Sequence, residues 1–437
     1  MNSPTEGVAL AKPDDAVAAN VNAAVTAAQI VEEVRQASTE PAWLSAARRV
    51  TQVAAEHAAA VDREARFPVE AFEAMRRERL LSAMIPAHFG GAGLTLAETA
   101  RVCETLAHGC SSTAMIYAMH QIQIACIVEH GSAVAWQREF LKRIIDEQWL
   151  LASATSEDMI GGNMRTSACA VDLVDGAFHI EKLAPTISYG AHADGILVTA
   201  RRHREASASD QVLIVAPCDS LTLELRAGWD ALGMRGTCSE SFRLVAQGRA
   251  EQILPVPFAQ ISDQTMLPVS HMLWAAVWIG IASDAVNRAH QFFRIQARGK
   301  PGVLPPSAAR LAETVALLRM MQARLKAALD TAAVASEERS SGASLDAACI
   351  DAPLGASMTL ASDMNTLKLS ISTSAIQVVQ DTLMICGMAG YKNNTDFSVG
   401  RHLRDLFSAP LMISNDRIEL NTANLLLAQR TPATGRI

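Results

Sequence analysis

The string Leu232-Gly233-Met234-Arg235-Gly236-Thr237, with Ser239 after it, is the sharpest cluster of chemistry-bearing residues in the 437-residue chain. On its own it reads as a β-turn carrying a surface arginine. Other strings share its mix of hydroxyls and charges set among glycines. They are Ala154-Thr155-Ser156-Glu157 before Gly161-Gly162-Asn163, Lys182 before Thr186-Ile187-Ser188-Tyr189-Gly190, and Arg298-Gly299-Lys300-Pro301-Gly302. Near the C-terminus, Ile385-Cys386-Gly387-Met388-Ala389-Gly390-Tyr391 precedes Arg401-His402-Leu403-Arg404-Asp405. Many side chains can exchange a proton, among them His120, His271, Asp416 and Glu419. Two of them have plainer readings, Asp416 as an ion pair with Arg417 and His271 as a satisfied buried histidine. Metal chemistry has no support. The eight cysteines show no CxxC spacing and no zinc-like pairing with histidine. Free, buried, reduced thiols fit most of them, as for Cys126 in IQIACIV.

Elements must position these residues, and the composition sets their scale. Hydrophobic residues make up 50% and charged residues 19%, with a formal net charge of −7, as in a cytosolic-type globular protein. No basic patch interleaved with aromatics points to nucleic acid, and no apolar run reads as a membrane span. Residues 1–40 form a flexible extension without a secretory signal, holding a marginal helix over 16–34. The segment 41–149 is helical, with Ala46–Arg63, Val69–Leu80, a helix capped by Thr95 with Glu98 three residues on, and a buried helix at Thr113–Val128. Pro86 and the glycines of Ile85–Leu94 break it. Short β-compatible runs fill 150–260, with a hairpin turn at Asp175-Gly176. Long helices return over 261–437: Met272–Phe293, Ala308–Ser336, Met358–Met384 and a last one from about Asp405 to Ala428, with a polar loop at Glu337–Pro353. The expected fold is α+β, mostly α: an N-terminal helical domain, a central antiparallel β-barrel or sandwich, and a C-terminal helical bundle.

That order, with the motifs at its seams, resembles the acyl-CoA dehydrogenase superfamily over residues 45–430. Arg66-Phe67-Pro68 and IPAHFGGAGL at 85–94 are similar to the family's P-x-x-x-G-G-x-G turn. Ala154–Asn163 resembles A-x-T-E-P-x-x-G-S-D, whose backbone and hydroxyls meet flavin and substrate; Asp158 stands for the Pro, and Gly162-Asn163 for Ser-Asp. Lys182–Asp194 is similar to K-x-x-I-T-x-G-x-x-A-D with about two extra residues, which puts Ser188 where the family has a Ser/Thr beside flavin N5. The Leu232–Ser239 string matches L-G-M-R-G-T-x-S. Arg298–Gly302 resembles R-x-x-F-G-K-P without its Phe, where the arginine meets the FAD pyrophosphate of a neighbouring subunit; forked, charge-assisted donors suit a diphosphate. Gly387–Tyr391 and Arg401–Asp405 resemble G-G-x-G-Y/F and R-x-x-R-D, with Met388 for one glycine. The resemblance implies cofactor contacts at Ser156, Thr186, Ser188, Arg298, Gly387 and Gly390, and a homodimer or homotetramer.

It also implies FAD-dependent α,β-dehydrogenation of an acyl thioester, in which a desolvated glutamate takes the α-proton. Counting on from Arg404-Asp405 puts Ile413-Ser414-Asn415 on the family's E-G-T, so Ile413 occupies the glutamate position. The alternative glutamate site on an earlier helix falls on Ser270, next to His271. Three readings follow. The base has moved to Asp416, Glu419 or His271. Or the chain is a monooxygenase of the same fold that uses FAD or FMN reduced by a separate flavin reductase, for which His120, Ser156 and Ser188 supply polar groups. Or it is a non-catalytic flavin-binding or partner subunit. The expected partners are an acyl thioester or other small molecule and an electron acceptor or flavin reductase. Cytoplasmic location, no nucleic acid and no membrane span complete the expectation.

Overall fold

Thr95 and Glu98 close a reciprocal cap at the start of one helix: the Thr95 N–H donates to Glu98 Oε2 at 2.8 Å, and Glu98 N–H donates to Thr95 Oγ1 at 3.2 Å. In the computed structural model, which describes residues 40–158, 160, 163–340 and 354–428, this is the third helix. The helices before and after it are α1 (Ala42–Glu64), α2 (Val69–Arg77), α3 (Leu96–Gly109), α4 (Ser111–Gly131) and α5 (Ala135–Glu147). The chain divides into a unit Met1–Ser45 and a unit Ala46–Ile437; in the first, the Ser45 hydroxyl donates to Glu40 at 2.8 Å. The expected extension before residue 40, the turn at Gly161-Gly162 and most of the loop before Pro353 lie outside the described residues. α4 has almost no polar stripe because nearly every residue in it is buried.

The central strands form two sheets rather than a closed barrel. One has the order β1 (Leu151–Ala154), β4 (Gly195–Arg201), β5 (Gln211–Pro217); the other runs β2 (Asp172–Val174), β3 (Ala177–Ile187), β7 (Glu240–Arg249), β6 (Leu221–Ala227). All pairs are antiparallel as expected except β1 with β4, which is parallel with Leu151 opposite Gly195. A parallel pair needs a long crossover, and the chain between them supplies it by building β2 and β3 in the other sheet. Asp175 and Gly176 turn between β2 and β3 with φ of 52° and 79°, the conformation that makes Asp-Gly a hairpin signal. β3 alternates between faces along most of its length, whereas β4 and β5 are buried nearly throughout.

The second helical set comprises α6 (Phe258–Ile261), α7 (Leu267–Gly299), α8 (Ala308–Ser340), α9 (Leu354–Cys386), α10 (Met388–Tyr391), α11 (Gly400–Leu406) and α12 (Asn415–Ala428). A π-turn at Ser262–Met266 joins α6 to α7, so Pro268 falls in the first turn of α7, where its missing N–H is tolerated. The joined helix, Phe258–Gly299, is long and apolar enough to cross a membrane by length and composition alone, and 89% of its apolar window is buried inside the protein, as in a core helix. α7 packs on α3 and α9. At Gly280 a Cβ would stand 2.4 Å from the Glu104 carbonyl, so glycine sets the approach of α7 to α3. The single helix expected over Asp405–Ala428 is two helices, because Pro410 cannot continue the first and Ile413 turns left-handed at φ 48°.

Candidate functional site

β1, β3 and the turn before β7 bring three of the motifs together. The Ser156 hydroxyl donates to the Thr186 carbonyl at 2.9 Å and lies 3.2 Å from the Thr186 hydroxyl. Ser188 Oγ is 2.8 Å from Ser239 Oγ, which is 2.8 Å from Thr237 Oγ1, whose proton goes to the Met234 carbonyl at 2.8 Å. This relay joins the third motif to the Leu-Gly-Met-Arg-Gly-Thr string. Tyr189, at φ 43°, fixes it: its N–H donates to the Thr237 carbonyl at 2.7 Å and its hydroxyl to the Leu151 carbonyl at 2.9 Å. A bulge between Ala184 and Ile187 takes up one of the extra residues seen in the sequence. Thr186 is exposed, and Ser156 and Ser188 are half-buried, so all three hydroxyls lie near the surface.

Glu157 and Lys182 point inward. The Glu157 carboxylate accepts from the Ser167 hydroxyl at 2.7 Å and from the N–H groups of Cys169 at 2.7 Å and Ala168 at 3.2 Å. Lys182 Nζ stands 3.7 Å from it and donates to the Thr199 carbonyl at 2.7 Å and hydroxyl at 2.9 Å. Burial lowers the Lys182 pKa. The pair fixes the strand ends that carry Ser156 and Thr186.

The Leu-Gly-Met-Arg-Gly-Thr string docks on the Arg-x-x-Arg-Asp helix. Met234 N–H donates to Asp405 Oδ1 at 2.7 Å, and a Cβ on Gly233 would sit 2.1 Å from the Arg404 carbonyl. Arg404 holds Asp62 in a forked pair and donates to the Leu232 carbonyl at 2.9 Å. Arg235 is no free surface arginine, since it donates to the Asp62 carbonyl and the Ala231 carbonyl, each at 2.8 Å. On the far side, Asp284 Oδ2 accepts from His402 Nε2 and from Arg288 Nε, each at 2.8 Å. Burial alone would raise the Asp284 pKa, but these partners outweigh it and hold the carboxyl below its ordinary value. Gly387 takes φ 54° and ψ −134°, a backbone open only to glycine, with no atom within 4 Å of where a Cβ would be. Gly390 packs on Cys386, 2.8 Å from its would-be Cβ. Arg298 stands exposed in the last turn of α7.

The proton-exchanging candidates do not converge. His120 is fully buried; its Nδ1 accepts from Leu151 N–H at 2.9 Å and its Nε2 lies 2.6 Å from the Leu81 carbonyl. Both ring nitrogens are committed to main chain and burial lowers the pKa to about 4, so His120 ties α4 to β1 as a neutral imidazole and has no nitrogen left for catalysis. Asp416 and Glu419 are exposed on α12, Asp416 in the first turn, where a carboxylate complements the helix dipole. His271 is buried on α7, its Nδ1 3.1 Å from the Met364 carbonyl of α9, while Nε2 has no partner. Among the predicted residues, Ser156 and Thr186 alone share a side-chain hydrogen bond among the described residues.

Lys368 was missed by sequence reasoning. It is buried on α9 and donates to the Ile413 carbonyl at 3.2 Å and to Asn415 Oδ1 at 2.5 Å. Burial lowers its pKa to about 8. A signal existed: Lys368 is the one charged residue between Met364 and Gln380, in a run otherwise apolar or neutral. α9 thus meets α7 through Met364 and His271 and meets the turn at Ile413 through Lys368, and the stretches Gln264–Ser283, Met364–Gln380 and Leu406–Asn415 carry no carboxylate, with Asp263, Asp284, Asp363, Asp381, Asp405 and Asp416 at their borders.

Residues 37–148 match the family model described as acyl-CoA dehydrogenase, N-terminal domain. The chain is 26% identical to the amino sugar nitrososynthase DnmZ of Streptomyces peucetius over 76% of this chain and 80% of that one. It is 27% identical to cyclohex-1-ene-1-carbonyl-CoA dehydrogenase of Geobacter metallireducens over 81% and 88% of the two chains. Among solved structures, FMN-bound TdsC of Paenibacillus sp. A11-2 superposes with a TM-score of 0.76 at 20% identity, covering 90% of this chain and 98% of that one. The chain thus carries the acyl-CoA dehydrogenase N-terminal domain over residues 37–148 and has the acyl-CoA dehydrogenase fold, and the proteins it is similar to bear the names of both dehydrogenases and monooxygenases.

Proposed function

We propose that this protein is a flavin-dependent monooxygenase that acts on a small molecule with flavin reduced by a separate reductase. The observation that carries the reading is that the family's glutamate position is Ile413, whose carbonyl accepts from Lys368, and that no carboxylate lies within 406–415 or 364–380. α,β-Dehydrogenation needs a base there. The groups in that place are an isoleucine, a lysine ammonium and His271. Oxygen transfer to a nucleophilic substrate needs no carboxylate to remove an α-proton. When bound, reduced flavin supplies two electrons to O2, of which one atom enters the substrate and the other leaves as water.

The residues fit a flavin on one count that belongs to this chain: Gly387 holds a glycine-only backbone with open space beside it, suited to close approach by a planar or phosphorylated group. Ser156, Thr186 and Ser188 would hydrogen-bond the cofactor from β3 and the end of β1, while Gly387, Gly390 and Arg298 would meet the flavin of a neighbouring subunit. The relay Ser188–Ser239–Thr237 fixes the Ser188 hydroxyl direction, and Tyr189 holds that turn rigid. A homodimer or homotetramer, with FMN or FAD as the flavin, completes the proposal. A second reading, dehydrogenation of an acyl thioester, has one observation in its favour: His271 Nε2 is buried and unpartnered. A pKa lowered to about 4 by burial and by the charge of Lys368 makes it a weak proton acceptor.

Anaerobic titration of the flavin-loaded protein with a panel of acyl-CoA thioesters is expected to leave the oxidised flavin band unbleached. Reduced flavin and air are expected to give oxygen uptake dependent on the protein. Bleaching by any thioester would reverse the assignment.

A further inference from the structure

The helix faces around Lys368 carry more unpaired polarity than the proposed reaction uses. His271, Trp274 and Trp278 follow at i, i+3 and i+7 on α7, and Asn365, Lys368 and Ser372 do the same on α9. The two faces are in contact: His271 Nδ1 meets the Met364 carbonyl at 3.1 Å, and Lys368 Nζ lies 6.0 Å from the Trp278 ring. The rings are contiguous, with His271 and Trp274 centroids 6.3 Å apart and Trp274 and Trp278 centroids 6.4 Å apart. Four buried polar atoms here have no hydrogen-bond partner: His271 Nε2, Trp274 Nε1, Trp278 Nε1 and Asn365 Nδ2. All four residues are at least nine-tenths buried.

Three of these atoms are N–H donors. Lys368 adds an ammonium whose protein partners are both neutral oxygens, the Ile413 carbonyl and Asn415 Oδ1, so one of its three protons is left over. Burying a charge without a counter-ion is costly, as is burying a donor without an acceptor. No carboxylate in the surrounding segments repays either cost. Unpartnered donors on facing helix sides that also hold a cation with no carboxylate partner are complementary to one kind of occupant, a compact group rich in acceptor oxygens and bearing a negative charge.

We infer that the facing sides of α7 and α9 beside the turn at Ile413 part to bind the carboxylate or similar oxoanion of a small substrate, with Lys368 as counter-ion and Trp274, Trp278 and Asn365 as donors. The inference rests on the monooxygenase reading for the reaction that follows, but names the substrate class by itself. His271 Nε2, the one acceptor in the set, orients the ligand by taking an N–H or O–H from it. Lys368 also holds the Ile413 turn, so the site's anion and the wall of the reaction chamber share one side chain.

Isothermal titration of the full-length protein with acetate, butyrate, benzoate and their primary amides tests this directly. At least one carboxylate is expected to bind about tenfold or more tightly than its amide, the scale of one charged hydrogen bond. Lys368→Met is expected to abolish that preference while Lys368→Arg keeps most of it. Trp278→Phe and Trp274→Phe each remove one donor and are expected to weaken the carboxylate about threefold or more, and the amide by less, because its acceptor carries no charge. If Lys368 only braced the turn, Lys368→Met would lower thermal stability and leave the selectivity intact, and the inference would be wrong. Equal binding of carboxylates and amides by the wild type, or no binding of either, would overturn it. If Lys368→Met does not fold, unchanged carboxylate affinity in both tryptophan variants would do the same. Carboxylate selectivity without flavin-dependent oxygen uptake would retain this site and remove the monooxygenase reading; uptake without selectivity would remove only this site.

Discussion

The main-chain N–H of Met234 donates to Asp405 Oδ1 at 2.7 Å, joining two glycine-flanked motifs that lie far apart in the chain. Asp405 is buried, and burial raises its pKa while the bond to Met234 opposes that. Asp405→Ala leaves a buried N–H unpaired and is expected to cost about 2–3 kcal/mol in urea unfolding. Asp405→Asn, which keeps an acceptor oxygen, is expected to cost less. Gly233→Ala is expected to be worse than either, because its Cβ would meet the Arg404 carbonyl at 2.1 Å. Asp405→Ala as stable as Asp405→Asn would mean that the Met234 bond carries no weight.

Glu157→Gln tests the buried pair beneath the Ser156 turn. Removing the negative charge leaves Lys182 buried with neutral partners, which is expected to destabilise the fold by about 3–5 kcal/mol. Adding Lys182→Met to that variant is expected to recover part of the loss, since an apolar side chain of similar length needs no counter-ion. Additive losses in the double mutant would show that the two groups do not interact, despite their 3.7 Å separation.

Acid stability follows from two neutral imidazoles. His120 and His271 have folded pKa values lowered to about 4, against 6.5 unfolded. Between those values the unfolded chain binds protons that the folded chain refuses. Stability is therefore full above about pH 6.5, falls as pH drops, and levels near pH 4. Each histidine contributes a slope approaching about 1.4 kcal/mol per pH unit in that window. Urea midpoints for His120→Gln at pH 7.5, 6 and 5 are expected to show a lower starting stability and a shallower fall. A slope equal to that of the wild type would assign the acid loss to other groups.

Arg298→Ala is expected to lower the flavin content of purified protein by about tenfold, with thermal stability of the flavin-free protein unchanged. The guanidinium is exposed and at a helix end, so its loss breaks no packing. Unchanged flavin content would take the phosphate contact away from this residue.

Much of the scaffold was legible. The Thr95–Glu98 cap and the Asp175-Gly176 turn are local signals, and each works through backbone geometry that neighbours cannot override. Ser156 and Thr186, from two separate motifs, share a hydrogen bond that neither motif foretells. Long-range features were less readable. The parallel β1–β4 pairing depends on where a distant strand returns, which alternation in β1 cannot encode. Glu157 reads as a turn residue, yet three donors from 167–169 draw it inward. Lys368 went unremarked because lysine on a helix normally serves a solvated face; only the packing of α7 against α9 shows that its charge is enclosed. The last helix broke at Pro410, a signal visible in the sequence but outweighed by the helical pattern on either side.

Gly280 has a consequence for the order in which the protein can be made. It lets α7 settle against Glu104 and Ala107 of α3, a helix completed much earlier in synthesis. A nascent chain that has emerged only as far as β7 has all its strands, yet the apolar side of α3 still lacks its lid. The N-terminal helices must wait on the ribosome for a C-terminal one, and a message truncated before residue 258 would release a sticky, half-roofed product for chaperones to hold.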